Sequence, residues 1–494
     1  MPLIGMLRRS REMSHERGGL RVGRDLRRHV GAGLVGAGMN AEYLDFLARK
    51  VPVAQSVGFE PMPITAPLFD FQKAATEACI RRGRGALFLD TGLGKTICEL
   101  EFAAQCAAHS DGPALILTPL AVARQIENEA LRFGYGAKVI RDQSEAWGFI
   151  NICNYDRLDK LDPSFYSCVV LDESSILKNF TGKTTRALID AFAATPYRLA
   201  ATATPAPNDF IEFGTHSEFL GVMPQADMLV RWFINDTANT GTWRLKGHAE
   251  RPFWDWMASW AIMAETPEDL GFDGSRFVLP ELKVIRHKTQ TDIKAPVGSL
   301  FIEDVSATNM HDLKRQTTSA RADMVASLVN AEPDEAWVIW CDTDYEADAL
   351  AKRIPGAVEV RGSQQPDRKE ANLASFANHE RRQIITKPSV AGMGLNWQHA
   401  ARMAFVGRSF SYEAWYQAVR RCWRFGQTRP VHVHLIVAEG EDQIGRVIDR
   451  KAEDHARMKQ SMRDASRRNM GRESIVRVPY NPTHNGRLPA WFSA

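Results

Sequence analysis

Short apolar runs alternate with helix-spaced stretches twice along this chain, and that alternation narrows the fold more than any other feature. "ALFLD" (86–90), "ALILT" (114–118), "FINIC" (149–153), "CVVLD" (168–172) and "YRLAATA" (197–203) have strand length and read as strands buried on both faces. Between them, "TICELEFAAQCAAH" and "AVARQIENEALRFG" carry apolar residues at helical spacing. This combination predicts an α/β domain on a parallel sheet. From about 336 the pattern returns in "AWVIWCD", "AVEVRG", "RQIITK", "RMAFVG" and "VHVHLIV", which predicts a second α/β domain.

The stretch between the two blocks differs. Over 221–285 strand alternation is lacking, and tryptophan recurs at 232, 243, 254, 256 and 260. A helical insertion or bridge is expected there, with the indoles packing between helices rather than stacking on bases. The expected divisions are 39–220 for the first α/β domain, 221–285 for the insertion and 286–455 for the second.

Charge is informative only at the ends. The net charge of +3 over 494 residues does not by itself indicate a nucleic-acid binder. Residues 1–38 hold eight arginines against three acids, and 455–494 hold eight basic residues against two acids. A basic, disordered N-terminal tail over 1–38 and a basic C-terminal tail over 456–494 are therefore expected. The seven cysteines are scattered with no C-x-x-C pair, which argues against a zinc ribbon or disulfide framework and suits a reducing compartment. No apolar run approaches a membrane span and no signal-peptide core is present, so a cytoplasmic protein is expected.

The chemistry starts at "LDTGLGKT", which follows an apolar strand and opens a helix. Gly92 and Gly94 let backbone N–H groups point at phosphate, and the helix N-terminus favours negative charge. Thr91 and Leu93 complete the loop. Lys95 is placed to reach the β- and γ-phosphates, and the Thr96 hydroxyl is a magnesium ligand. The strict glycine of the P-loop pattern is replaced by Leu89. Nucleotide hydrolysis also needs a carboxylate for Mg²⁺ and a group to orient the attacking water. Asp172 and Glu173, at the end of "CVVLDESS", supply both.

Together these elements resemble the superfamily II helicases. Their phosphate loop reads A-x-T-G-x-G-K-T, from which this chain departs only by Leu89, and D-E-S-S is similar to their D-E-A-D/D-E-x-H box. Other motifs follow in the family's order. Gln72 in "LFDFQKAA" matches a glutamine that reads adenine. Thr118 and Pro119 in "LTPLAVARQIENE", then Asn154 and Tyr155 in "ICNYDRL", resemble nucleic-acid-contacting motifs. "ATATPAPND" resembles the motif that couples the lobes, with Thr202, Thr204 and Asn208. In the second block "SVAGMGLNWQHA" looks like the family's A-G-x-G-x-N element, with Gly392, Gly394 and Asn396. "QAVRRCWRFGQ" is close to the Q-A-x-x-R-x-x-R-x-G-Q element of the Swi/Snf-type branch, which makes Arg421 and Arg424 arginine fingers with Gln417 beside them. Two residues depart from the pattern: Ser175 stands where histidine is usual, and Arg420 where the branch has an acid.

The resemblance covers roughly 65–450 and implies two RecA-like parallel-sheet lobes with ATP and Mg²⁺ at their cleft. It implies an ATP-dependent DNA helicase or translocase, duplex preferred and single strands possible. The short chain suits a compact bacterial or phage form. Two alternatives stand beside it: an RNA helicase of DEAD/DEAH type, against which the G-Q element argues, and a non-catalytic nucleic-acid-binding scaffold. Intact Lys95, Asp172, Glu173, Arg421 and Arg424 argue against the scaffold.

Overall fold

In the first block of strands, successive residues are buried on opposite faces of one sheet. Ala86 and Phe88 enter one hydrophobic cluster while Leu87 and Leu89 enter another. A sheet buried on both sides must be covered by helices on both sides, which is the doubly wound arrangement observed. The computed structural model describes residues 54–235, 243–289, 307–391, 395–407, 409, 411–438 and 442–470. They fall within the larger of two compact units, Pro52–Ala494.

The first lobe runs α1 (Asp70–Arg82), β1 (Arg84–Leu89), α2 (Lys95–Ser110), β2 (Ala114–Thr118), α3 (Ala123–Phe133), β3 (Ala137–Val139), β4 (Ile150–Asn154), β5 (Cys168–Asp172), α4 (Lys183–Ala191), β6 (Tyr197–Ala201) and α5 (Phe213–Leu220). Then come α6 (Gln225–Trp232), an antiparallel ribbon of β7 (Phe233–Asn235) and β8 (Trp243–Leu245), α7 (Glu250–Trp260) and β9 (Ala261–Ala264). The sheet order is β3-β4-β2-β5-β6-β1-β9, parallel throughout.

The second lobe comprises β10 (Leu282–Thr289), α8 (Ala307–Ala331), β11 (Trp337–Trp340), α9 (Asp344–Arg353), β12 (Val358–Val360), α10 (Pro366–Ala377), β13 (Gln383–Thr386), α11 (Pro388–Ala391), β14 (Arg402–Phe405), α12 (Tyr412–Val419) and β15 (Val431–Ala438). Its sheet, also parallel, has the order β10-β15-β14-β11-β13-β12. A long last helix, α13 (Asp442–Met470), closes the described chain. None of the described helices is long and apolar enough to cross a membrane. All seven cysteines are buried free thiols.

The sequence expectations need three corrections. The Trp-rich segment is only partly helical, because the short run Ala261–Ala264 pairs with β1 and extends the first sheet. Its tryptophans at 232, 254, 256 and 260 are buried, with Trp232 and Trp256 ring centroids 4.4 Å apart, so these indoles are core. The second correction concerns the tail expected from 456. Residues 456–470 continue α13, and Met458, Met462 and Ala465 enter the first lobe's core beside Trp254 and Met257. Basic composition concealed an amphipathic helix whose apolar stripe is carried by methionines. The second sheet also begins ahead of the expected boundary at 286, at Leu282. Residues 1–38, 471–494, Gly392 and Gly394 lie outside the described residues.

Candidate nucleotide cleft between the lobes

The turn from β1 into α2 is the centre of the site. Gly92 has φ 93° and Gly94 φ 77°, a backbone that side-chain-bearing residues adopt at a cost. Space enforces glycine too. A Cβ on Gly94 would run into the Gln72 amide, and one on Gly92 would sit 2.8 Å from the Phe425 backbone nitrogen of the second lobe. Gln72 is buried and braces the loop: its Oε1 accepts from Phe69 N–H at 2.8 Å and its Nε2 donates to the Leu93 carbonyl at 2.8 Å. Lys95 donates to the Leu89 carbonyl at 3.0 Å, beside the half-buried Thr96. Thr91 and Leu93 are buried within the loop.

Asp172 ends β5 and is buried. The Thr118 hydroxyl donates to its Oδ2 at 2.7 Å, and the Tyr155 hydroxyl donates to its backbone carbonyl at 2.7 Å. Both residues matched nucleic-acid motifs in the sequence; here their hydroxyls face inward and brace the carboxylate. Pro119 is half-buried, Asn154 is buried and Asn396 is exposed. Burial, with Glu173 alongside, pushes the Asp172 carboxyl up to about 7. Oxygen donors from Thr96 and Asp172 in so acidic a setting fit a hard divalent cation, whose charge would return Asp172 to its ionised form.

Glu173 sits at φ 54°, a left-handed backbone uncommon for a residue with a side chain. It accepts a hydrogen bond from Thr202 Oγ1 at 3.2 Å. Thr202 Oγ1 in turn accepts from Thr204 N–H at 3.2 Å, and Thr204 Oγ1 accepts from Gln417 Nε2 at 3.2 Å. Gln417 lies on α12 of the second lobe. A hydrogen-bonded run therefore leads from the Glu173 carboxylate across the cleft. Asn208 donates to Glu212 at 2.9 Å and accepts from Lys451 of α13 at 3.0 Å, which ties this motif to the last helix. Lys178 and Glu413 form a second contact between lobes, at 2.5 Å.

The arginine-bearing turn follows α12. Arg421 is buried; its Nε donates to the Gln417 carbonyl at 3.0 Å and one terminal nitrogen to the Leu395 carbonyl at 3.0 Å. Arg424 donates to the same Leu395 carbonyl at 3.3 Å, and burial next to Arg421 pulls its guanidinium down to about 10. Arg420 points into the first lobe, 3.1 Å from Asp90.

Asp90 and His216 are among the residues of this site not singled out in the sequence. Asp90 lies inside "LDTGLGKT", and its charge is opposite to that of Arg420 in the other motif; the complementarity of the two positions was the available signal. His216 had none. It is fully buried on α5, its Nδ1 3.2 Å from the Glu212 carbonyl and its Nε2 3.2 Å from the Ser174 hydroxyl. The Glu212 carbonyl can only accept, so Nδ1 carries the proton and Nε2 accepts from Ser174. An imidazole from α5 thus supports the D-E-S-S turn, in which Ser175 is itself buried.

Comparison with known proteins adds to this geometry. A family described as "Helicase conserved C-terminal domain" matches residues 320–426. "SWI/SNF-related matrix-associated actin-dependent regulator of chromatin subfamily A-like protein 1" of Bos taurus is 22% identical over 424 residues, covering 76% of this chain and 43% of that protein. "Helicase SWR1" of Saccharomyces cerevisiae is 31% identical over 161 residues, 28% of this chain and 10% of that one. The chain thus spans less than half the length of these curated relatives. The solved "Sulfolobus solfataricus SWI2/SNF2 ATPase core in complex with dsDNA" is similar at 17% identity and a TM-score of 0.40, over 83% of this chain and 95% of that one.

Proposed function

Because the chain belongs to the Swi/Snf-type branch of the superfamily II helicases, we propose that it is a DNA-dependent ATPase that couples nucleotide hydrolysis between its lobes to movement along duplex DNA. The observation that carries the reading is the hydrogen-bonded run from Glu173 through Thr202 and Thr204 to Gln417. It joins a carboxylate suited to orienting water in one lobe to the arginine-bearing turn of the other. Hydrolysis and lobe position then cannot change independently.

In this proposal the loop N–H groups and Lys95 bind the phosphates, and Gln72 holds the loop in shape for them. Thr96 and Asp172 hold Mg²⁺, which neutralises phosphate charge. Thr118 and Tyr155 fix Asp172, and Glu173 orients the attacking water. Arg421 and Arg424 stabilise charge that develops on the transferred phosphoryl group, a role they can fill only when the lobes are together. Ser175, Thr202, Thr204, Asn208 and Gln417 tie that closure to the D-E-S-S turn. Asn396 is exposed in the second lobe, and in this proposal it contacts the nucleic-acid backbone.

The preference for duplex DNA rests on the resemblance of "QAVRRCWRFGQ" to the Swi/Snf-type element. The buried tryptophans support it, since the indoles of α7 are not available to stack on single-stranded bases. The test is ATPase rate titrated against matched duplex DNA, single-stranded DNA and RNA at one fixed salt concentration, with Lys95→Ala as the inactive control. Duplex DNA should stimulate most. Preferential stimulation by RNA would replace the DNA assignment with the RNA-helicase one, and turnover by Lys95→Ala at the wild-type rate would remove the site assignment.

A further inference from the structure

Arg420 stands where the Swi/Snf-type pattern has an acid, and its side chain is only 5% exposed. A guanidinium this deep is costly unless it is paired and hydrogen-bonded. Its partners lie on the opposite lobe: one terminal nitrogen is 3.1 Å from Asp90 Oδ2 and donates to the Thr91 carbonyl at 2.5 Å. Both acceptors belong to the phosphate loop. The departure in one lobe is therefore matched by a carboxylate in the other.

The pair is not isolated. Tyr416, one helical turn before Arg420 on α12, donates its hydroxyl to Asp90 Oδ1. Lys459 of α13 donates to that tyrosine oxygen at 3.4 Å and to Glu265, just past β9, at 2.6 Å. Arg463 meets Glu265 at 3.0 Å and Asp269 at 3.5 Å. The network sets three cations, Arg420, Lys459 and Arg463, against three carboxylates of the first lobe, Asp90, Glu265 and Asp269. Burial by itself would raise the Asp90 carboxyl, but Arg420, Lys459 and the Tyr416 hydroxyl hold it down at about 2. The loop also meets the turn backbone to backbone, since Gly92 leaves no room for a Cβ beside Phe425.

We infer that Arg420 is a positioning residue: clamped on Asp90 and Thr91, it sets the register in which the turn bearing Arg421 and Arg424 meets the phosphate loop, with Tyr416 and Lys459 as its supports. Arg421 follows it directly, and Arg424 shares the Leu395 carbonyl with Arg421. Freeing Arg420 therefore shifts both. The dock lies on the phosphate-loop side of the cleft, separate from the Gln417–Thr204 bond. Its kinetic consequence rests on the ATPase reading above; its geometric consequence does not.

The test is a double-mutant cycle with Asp90→Asn and Arg420→Gln, in full-length protein carrying spin labels at the exposed positions 159 and 370, one on each lobe. Each single change leaves a buried charge or a polar group without its partner, whereas the double removes both charges. Each single should broaden and lengthen the interlobe distance distribution and lower kcat about 10- to 100-fold, with ATP KM changed less than about 3-fold. The double should lie closer to wild type than either single in both measurements. Arg420→Lys, which keeps the charge without the forked geometry, should recover part of kcat. A role confined to stability would lower melting temperature alone and leave kcat of the folded protein intact. Unchanged distances in Arg420→Gln, or strictly additive kinetics in the cycle, would overturn the dock. A wild-type protein that binds nucleotide but turns none over would remove the ATPase reading, and the distance cycle would then decide the dock by itself.

Discussion

Gln417 donates its side-chain amide to the Thr204 hydroxyl at 3.2 Å, so a residue of the second lobe ends a run that begins at Glu173 in the first. Thr204→Val keeps the shape of the side chain and removes the hydroxyl, leaving the Gln417 amide without this acceptor. The expected result is a kcat lowered about 10- to 100-fold with ATP affinity little changed, read by steady-state kinetics beside equilibrium binding of a fluorescent nucleotide. Equal losses in affinity and rate would mean that Thr204 shapes the nucleotide pocket itself.

Arg421 and Arg424 both converge on the Leu395 carbonyl from a turn that only the second lobe provides. Replacing either by alanine should spare ATP binding and lower kcat by about 10³-fold, as removal of an arginine finger does. Single-turnover hydrolysis with ATP binding measured separately distinguishes the two effects. Weakened ground-state binding with kcat unchanged would reassign the residue to nucleotide capture.

His216 gives a pH prediction. Burial pushes its imidazole down to about 4, whereas in the unfolded chain it titrates near its ordinary 6.5. Between those values the unfolded chain binds the extra proton. The stability His216 contributes is thus complete above about pH 6.5 and is lost as pH falls towards 4, on the order of 3 kcal/mol in all. His216→Gln cannot titrate there. Its stability deficit relative to wild type should therefore shrink between pH 7.5 and 4.5, as followed by denaturant unfolding. A constant deficit across that range would show that the imidazole is not held neutral.

Met462 is fully buried in the first lobe's core although it lies on the last described helix. Met462→Ala should cost about 2–4 kcal/mol, the range for truncating a buried side chain of this size. Chain ending at residue 455 should lose more, since Lys459–Glu265 and Arg468–Asp255 go with the apolar contacts. Thermal unfolding of both variants provides the check; a loosely attached segment would leave the transition unmoved.

What was legible in the sequence was whatever is encoded locally. The loop at 90–96, the strand-end acids at 172–173 and the arginine turn each need a fixed spacing, and spacing survives in one dimension. Parallel strands buried on both faces also declare themselves, as "CVVLD" does. Pairings between distant positions do not. β9 reads as the end of a Trp-rich helix because only its neighbour β1, far earlier in the chain, makes it a strand. Residues 456–470 read as a charged tail because their methionines are sparse and the surface they cover is built by α7. The inward turn of Thr118 and Tyr155 is likewise set by Asp172, more than a dozen residues from either, and not by the motifs they occupy.

The position of α13 carries a consequence for how the protein is made. Its methionines complete a lobe whose last strand ends at Ala264, so roughly 200 residues must leave the ribosome between that strand and Ala465. At translation speeds of about 5–20 residues per second, the interval is on the order of 10–40 s. Until α13 is made, the α7 face with Trp254 and Met257 lacks the helix that covers it in the finished fold. Burial of that face therefore waits on residues 458–465.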